Sequence, residues 1–95
     1  MDAKLRCSVG PGQFSDEFAV STGEFSLFAP KGEVEVGALP TSDRPVDGWL
    51  WVDIIKKGET TSLIRLPNEA IEVGYFVQVD NDRLQIGKRS RAMKP

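Results

Sequence analysis

Gly48-Trp49-Leu50-Trp51-Val52-Asp53-Ile54-Ile55 is the densest apolar run in the chain and holds both tryptophans. Side chains along a strand alternate between two faces. Leu50, Val52 and Ile54 therefore share one side, and Trp49, Trp51, Asp53 and Ile55 share the other. The first face is purely aliphatic, as a core face should be. The run is short, rich in β-branched and aromatic residues, and bracketed by Gly48 and Gly58, which argues for a strand over a helix. Its polar end, Lys56-Lys57-Gly58-Glu59, reads as a turn. The rest of the chain reads as shorter strands able to pair around this one.

Leu5-Arg6-Cys7-Ser8-Val9 alternates and predicts a first strand, stopped by Gly10-Pro11-Gly12. Glu17–Ser21 and Glu24–Phe28 read as two strands joined by a two-residue Thr22-Gly23 hairpin. Glu33-Val34-Glu35-Val36 alternates strictly and predicts a short strand with Val34 and Val36 inward. Gly37 to Gly48 is rich in turn residues and reads as a long loop of about twelve residues, a length at which loops often carry function. Beyond the tryptophan strand, Thr60–Leu66 predicts the return arm of a hairpin, with Ile64 and Leu66 on one face. Pro67-Asn68-Glu69-Ala70 breaks the pattern and reads as one helical turn. Ile71–Val79 predicts a long strand with Ile71, Val73, Tyr75, Val77 and Val79 on one face and a bulge or bend at Gly74. Asp80–Arg83 reads as a turn into Leu84-Gln85-Ile86. No amphipathic helix of useful length exists. The expectation is an all-β fold over residues 1–87, built of hairpins as a small antiparallel barrel of SH3-like size or a compact sandwich. Residues 88–95 read as a basic, flexible C-terminal tail.

Ninety-five residues allow one domain, and no apolar run reaches the length of a membrane helix. The first six residues carry no secretion signal, and one cysteine, Cys7, fits a reducing cytoplasm. There is no histidine. That removes Ser-His and Cys-His nucleophile pairs, histidine bases and most zinc sites, and leaves Cys7 without an activating partner. The glycine-rich turns lack the Gly-Lys-Ser/Thr ending of a phosphate loop. Asp80 and Asp82 lack the downstream glutamate of a calcium loop. Neither a metal nor any other cofactor is expected. Acid pairs such as Asp43/Asp47 leave a carboxylate-based enzyme as a remote third reading, because so small a chain hardly walls a cleft.

Charge is uneven along the chain. All fourteen acids and seven of the bases lie in residues 1–82; residues 83–95 hold five bases and no acid. Two binding surfaces compete on these facts. One is the Trp49/Trp51 face with Asp53 beside it and Arg44 of the neighbouring loop as a charged anchor, taking a protein partner, with homo-oligomerisation as a related option. The other is the tail, where Lys88, Arg89, Arg91 and Lys94 would neutralise nucleic-acid phosphates. The plainer readings are tryptophans that cover a second apolar layer and a tail that is merely solvated. The acidic body disfavours nucleic acid. The expectation is a non-enzymatic interaction module or assembly subunit.

Overall fold

The computed structural model describes residues 1–89. Among these residues there are eight strands: β1 Asp2–Pro11, β2 Glu17–Ser21, β3 Ser26–Pro30, β4 Val34–Val36, β5 Val46–Lys57, β6 Thr61–Ala70, β7 Gly74–Asp80 and β8 Leu84–Ile86. Two short 3-10 turns, Lys31–Glu33 and Asn81–Arg83, precede β4 and β8. All pairings are antiparallel, in the order β3-β2-β1-β5-β6-β7, with β4 also on β5 and β8 also on β1. The all-β expectation holds: the sheet curls into a half-barrel. No helix among the described residues is long and apolar enough to cross a membrane.

The two central strands carry the fold. β1 and β5 run side by side from Asp2↔Asp53 to Val9↔Val46. On the inner face, Ala3, Leu5, Cys7 and Val9 meet Leu50, Val52 and Ile54, and all are buried. Phe18, Val20, Phe25, Leu27, Ile64 and Leu66 complete a single core cluster. Each central strand divides its outer edge between two partners. On β1, residues 8–11 pair with β2 and residues 3–5 with β8; on β5, residues 48–50 pair with β4 and residues 53–57 with β6.

Gly48 lies inside β5 rather than at its border. A Cβ there would stand 2.7 Å from the Glu35 carbonyl oxygen and 2.9 Å from both Val36 Cγ1 and Val9 Cγ2. The glycine therefore permits close backbone approach of β4, the usual reason for glycine within a strand. Because β5 begins at Val46, the long loop shortens to Gly37–Pro45 and is tightened by mutual main-chain bonds between Thr41 and Arg44. At the opposite end, Asn81 ties the β5–β6 turn to the 3-10 turn after β7. Its amide donates to the carbonyls of Gly58 and Glu59, and its oxygen accepts from the buried Ser62 hydroxyl.

Four local expectations change. β1 runs through Pro11, which pairs with Phe18 at the strand end. The first hairpin loop spans four residues, since Ser21 pairs with Ser26, and Phe25 turns into the core. Pro67–Ala70 is extended, not helical. After Arg65 the β6–β7 ladder has a single further pair, Ala70↔Gly74, so Pro67 sits where its missing N–H deprives no ladder bond. Ile71–Val73 is a turn. Gly74 has φ +75°, a value that favours glycine, and it bends the chain so that β7 begins only there. Ile71 is 88% exposed and Tyr75 42%, while Val79 of the expected face is buried.

β3 also touches β6 across the open side. Asn68 Nδ2 donates to the Phe28 carbonyl (2.7 Å), and the Ser26 N–H donates to Glu72 Oε1 (2.9 Å). These bonds from Ser26 hold the Glu72 carboxyl below its ordinary 4.5. A depressed pKa stabilises the fold above the unfolded-state value and loses that contribution as pH falls through the folded one. The Ser26 amide should keep its hydrogen-exchange protection at pH 4.5 and lose it only as pH falls further, through the lowered pKa of Glu72, in the native chain. In Glu72→Ala it should be unprotected throughout; equal protection in the two chains would break the link. Gly48→Ala should lower stability by about 1–3 kcal/mol, read as a lower urea midpoint at unchanged slope. An unchanged midpoint would mean that β4 is not held as close as described.

Candidate functional site

The outer face of the central strands is laid down by the same register that builds the core. Trp49 stands opposite Arg6 on β1 and Glu35 on β4; Trp51 stands opposite Lys4, and Asp53 opposite Asp2. Both indoles are half-buried, Asp53 is exposed, and neither tryptophan belongs to the core cluster. This is the two-faced strand expected from the alternation.

Lys4 organises the surface. Its ammonium lies 5.4 Å from the Trp49 ring centroid and 5.7 Å from that of Trp51. Glu35 serves both neighbours: Oε1 pairs with Lys4 Nζ at 3.2 Å, and Oε2 accepts from Trp51 Nε1 at 2.9 Å. From the other side Arg89 places its guanidinium 5.8 Å from the Trp51 ring. Its Nη1 pairs with Glu33, its Nη2 donates to the Gly32 carbonyl, and its main-chain N–H donates to Asp2. Asp53 receives the Met1 ammonium at 2.7 Å. Each cation–ring contact contributes about 0.5–1 kcal/mol when exposed, and each surface ion pair about as little. Together they give Trp51 one orientation without covering it.

A cleft of about 330 Å³ opens beside Trp51, walled by Asp2, Glu33, Asp53, Arg65, Pro67 and Arg89 among others. Its rim carries carboxylates of Asp2, Glu33 and Asp53 and the guanidinium groups of Arg65 and Arg89. Arg44 is elsewhere. It is exposed in the Thr41–Arg44 turn, five residues before Trp49, and its side chain makes no hydrogen bond or ion pair among the described residues. The loop around it faces the β2–β3 side: Leu39 and Pro40 line a cleft with Phe14 and Phe18, and Pro45 lines an apolar one with Ala19 and Phe28. The structure thus brings Trp49, Trp51 and Asp53 together and leaves Arg44 apart. Of the tail bases, Lys88 is exposed and Arg89 is engaged as described, while Arg91 and Lys94 lie outside the described residues.

Lys4, Glu35 and Glu33 are the members that strand reading alone missed. Lys4 precedes the alternating run taken for β1, and its place depends on the β1–β5 register, which composition does not reveal. Cys7 is buried; burial, with the Asp47 charge adding, raises its thiol to about 11. No three His, Cys, Asp or Glu side chains gather at metal-binding distance among the described residues. No protein-family model matches the chain, and neither the curated proteins nor the solved structures show significant similarity to it.

Glu35→Ala should free both Lys4 and the Trp51 indole N–H while costing no more than about 1 kcal/mol of stability. Acrylamide quenching of tryptophan fluorescence should then become steeper. Unchanged quenching would mean that packing alone holds the ring.

Proposed function

We propose that this chain is a non-catalytic interaction module that takes a protein partner on its Trp49–Lys4–Trp51 face. The observation that carries the reading is an outward-facing pair of half-buried indoles, held in place by a lysine and a glutamate instead of by the core. Tryptophan is enriched at interface hot spots because a rigid ring buries much area at little entropic cost. Lys4 and Glu35 supply a charged rim around the rings, the arrangement that orients a partner. The anchor beside the rings is Lys4 rather than Arg44.

Two groups elsewhere in the fold argue against chemistry. The Cys7 thiol is pushed away from reactivity, and Glu72 is held in its charged form on an exposed edge. Nucleic-acid binding loses part of its basis because Arg89 is paired with Glu33 and bonded to Asp2. The lone buried cysteine suits a reducing compartment, and we place the protein in the cytoplasm. Chain length and the return of β8 onto β1 support an SH3-like description at the level of architecture; architecture alone carries no function.

The test is affinity capture from the native host with the intact chain, followed by titration of the captured protein against variants. Trp51→Ala should keep a cooperative unfolding transition and weaken binding by roughly thirtyfold, the scale of a hot-spot residue. Loss of folding would return Trp51 to a structural role. Unaltered affinity in a folded Trp49→Ala/Trp51→Ala chain would remove this face from the function.

A further inference from the structure

The two ends of the six-strand path are finished differently. On β3 the bond from Thr22 N–H to the Phe25 carbonyl sets the parity of the ladder, so the main-chain groups of Ser26 and Phe28 face outward. Side chains from the far side meet both: Glu72 takes the Ser26 N–H, and Asn68 caps the Phe28 carbonyl. On β7 the bond from Asn81 N–H to the Thr60 carbonyl sets the parity in the same way. Val77 and Val79 bond inward to β6, and Phe76, Gln78 and Asp80 turn their main-chain groups outward. Among the described residues no strand or side chain meets them.

The open edge is also apolar. Of the nine large exposed hydrophobic residues among those described, four fall within six positions: Ile71 88%, Val73 37%, Tyr75 42% and Phe76 54% exposed. Between Gly74 and Val79 there is no lysine, arginine or proline, the residues that ordinarily blunt an edge. An unprotected strand edge is a template for another strand.

β7 is complementary to itself. Placed antiparallel to its own copy about a two-fold axis at Val77, Phe76 lies opposite the copy's Gln78, and Gln78 opposite the copy's Phe76. All four are outward-facing residues and exchange both main-chain bonds. Tyr75 then meets Val79 and Val77 meets its own copy, the aromatic and β-branched pairs that stabilise ladders. Asp80 falls opposite Gly74, so no carboxylate opposes another within the ladder. We propose that two copies of this chain pair through β7 in this register and merge their half-barrels into one continuous sheet. Any strand can meet its own copy about a two-fold axis; what β7 adds is an edge that no described residue occupies and side-chain pairs that set no like charges together. The tryptophan face lies on β5, two strands away, and stays free for the proposed partner.

Sedimentation of the intact chain across a wide concentration series tests this. The expected mass at the upper end is twice the 10.5 kDa of one chain. Gln78→Pro removes an outward N–H that no described residue of the single chain accepts, so it should unfold like the parent and remain monomeric. Phe76→Lys, should the proline fail to fold, places a charge on the edge and weakens association by about tenfold or more. Val77→Cys sets two thiols on a non-bonded antiparallel pair with Cα atoms about 4.5 Å apart, within disulfide reach, and should give a covalent dimer under mild oxidation while buried Cys7 does not. Three results would overturn the proposal: a monomer at every concentration, a dimer that survives Gln78→Pro and Phe76→Lys, or a dimer that Val77→Cys fails to link.

Discussion

The pairing of β1 with β5 is the constraint on which the rest depends. Its register decides both faces at once. With Leu5 opposite Leu50, the aliphatic residues of both strands turn inward, and Lys4 is delivered beside Trp49 and Trp51. A slip of one residue would carry every one of these side chains to the wrong face. The same register sets Asp2 against Asp53, like charges that would repel across the ladder. The conflict is relieved locally, because the Met1 ammonium binds Asp53 and the Arg89 main-chain N–H binds Asp2. Close approach at Gly48 then lets β4 lie on the other edge of β5 and bring Glu35 over Trp51. Core, sheet order and outer surface thus follow from one ladder.

A curled sheet that stops short of closure must dispose of its edges. Full closure would remove them; a half-barrel leaves two. The β6–β7 connection disposes of one, since Asn68 and Glu72 reach across to β3 as substitutes for a ninth strand. Asn68 does so from the extended end of β6 and Glu72 from the turn that follows it. The second edge, on β7, receives no such cover among the described residues. Ile71 and Val73, which alternation places on one face with Val77 and Val79, are on the surface because the chain turns there and β7 begins only at the Gly74 bend. Hydrophobicity left outside at an open edge marks a contact surface more readily than an accident of packing.

The sequence was most informative where one physical signal acted alone. Alternation in Trp49–Ile55 identified the strand, its core face and its aromatic face, because β5 is paired on both edges and period two is its only pattern. Where two signals overlapped, reading was poorer. Pro67 speaks against a ladder, yet it stands where the ladder has already parted, so the proline and the strand are compatible. Gly74 was legible as a bend, but not its effect on which residues follow the core face. The site was half legible. Trp49, Trp51 and Asp53 share a strand, and spacing joins them. Lys4, Glu35 and Arg89 come from β1, β4 and the segment after β8, and only tertiary register unites them. Arg44 was grouped with the tryptophans by nearness in sequence, and the Thr41–Arg44 turn holds it away.

On the proposed reading, the weakness of the contacts around the indoles is what suits them to recognition. Rings packed into the core could be reached only by unfolding, at a cost of several kcal/mol each. Fully exposed rings would lose rotamer freedom on binding. Here Lys4 stands beside both rings and Arg89 beside Trp51, through interactions of about 1 kcal/mol or less apiece. A partner's apolar side chain can displace a lysine stem at that small cost and gain the desolvation of an indole in return. Glu35 would then remain behind as the acceptor for Trp51 Nε1, keeping the ring aligned while its flank is exchanged. The ion pairs of this face are therefore poor stabilisers of the fold and good custodians of a surface. The stability they do not provide comes from the aliphatic side of the same two strands.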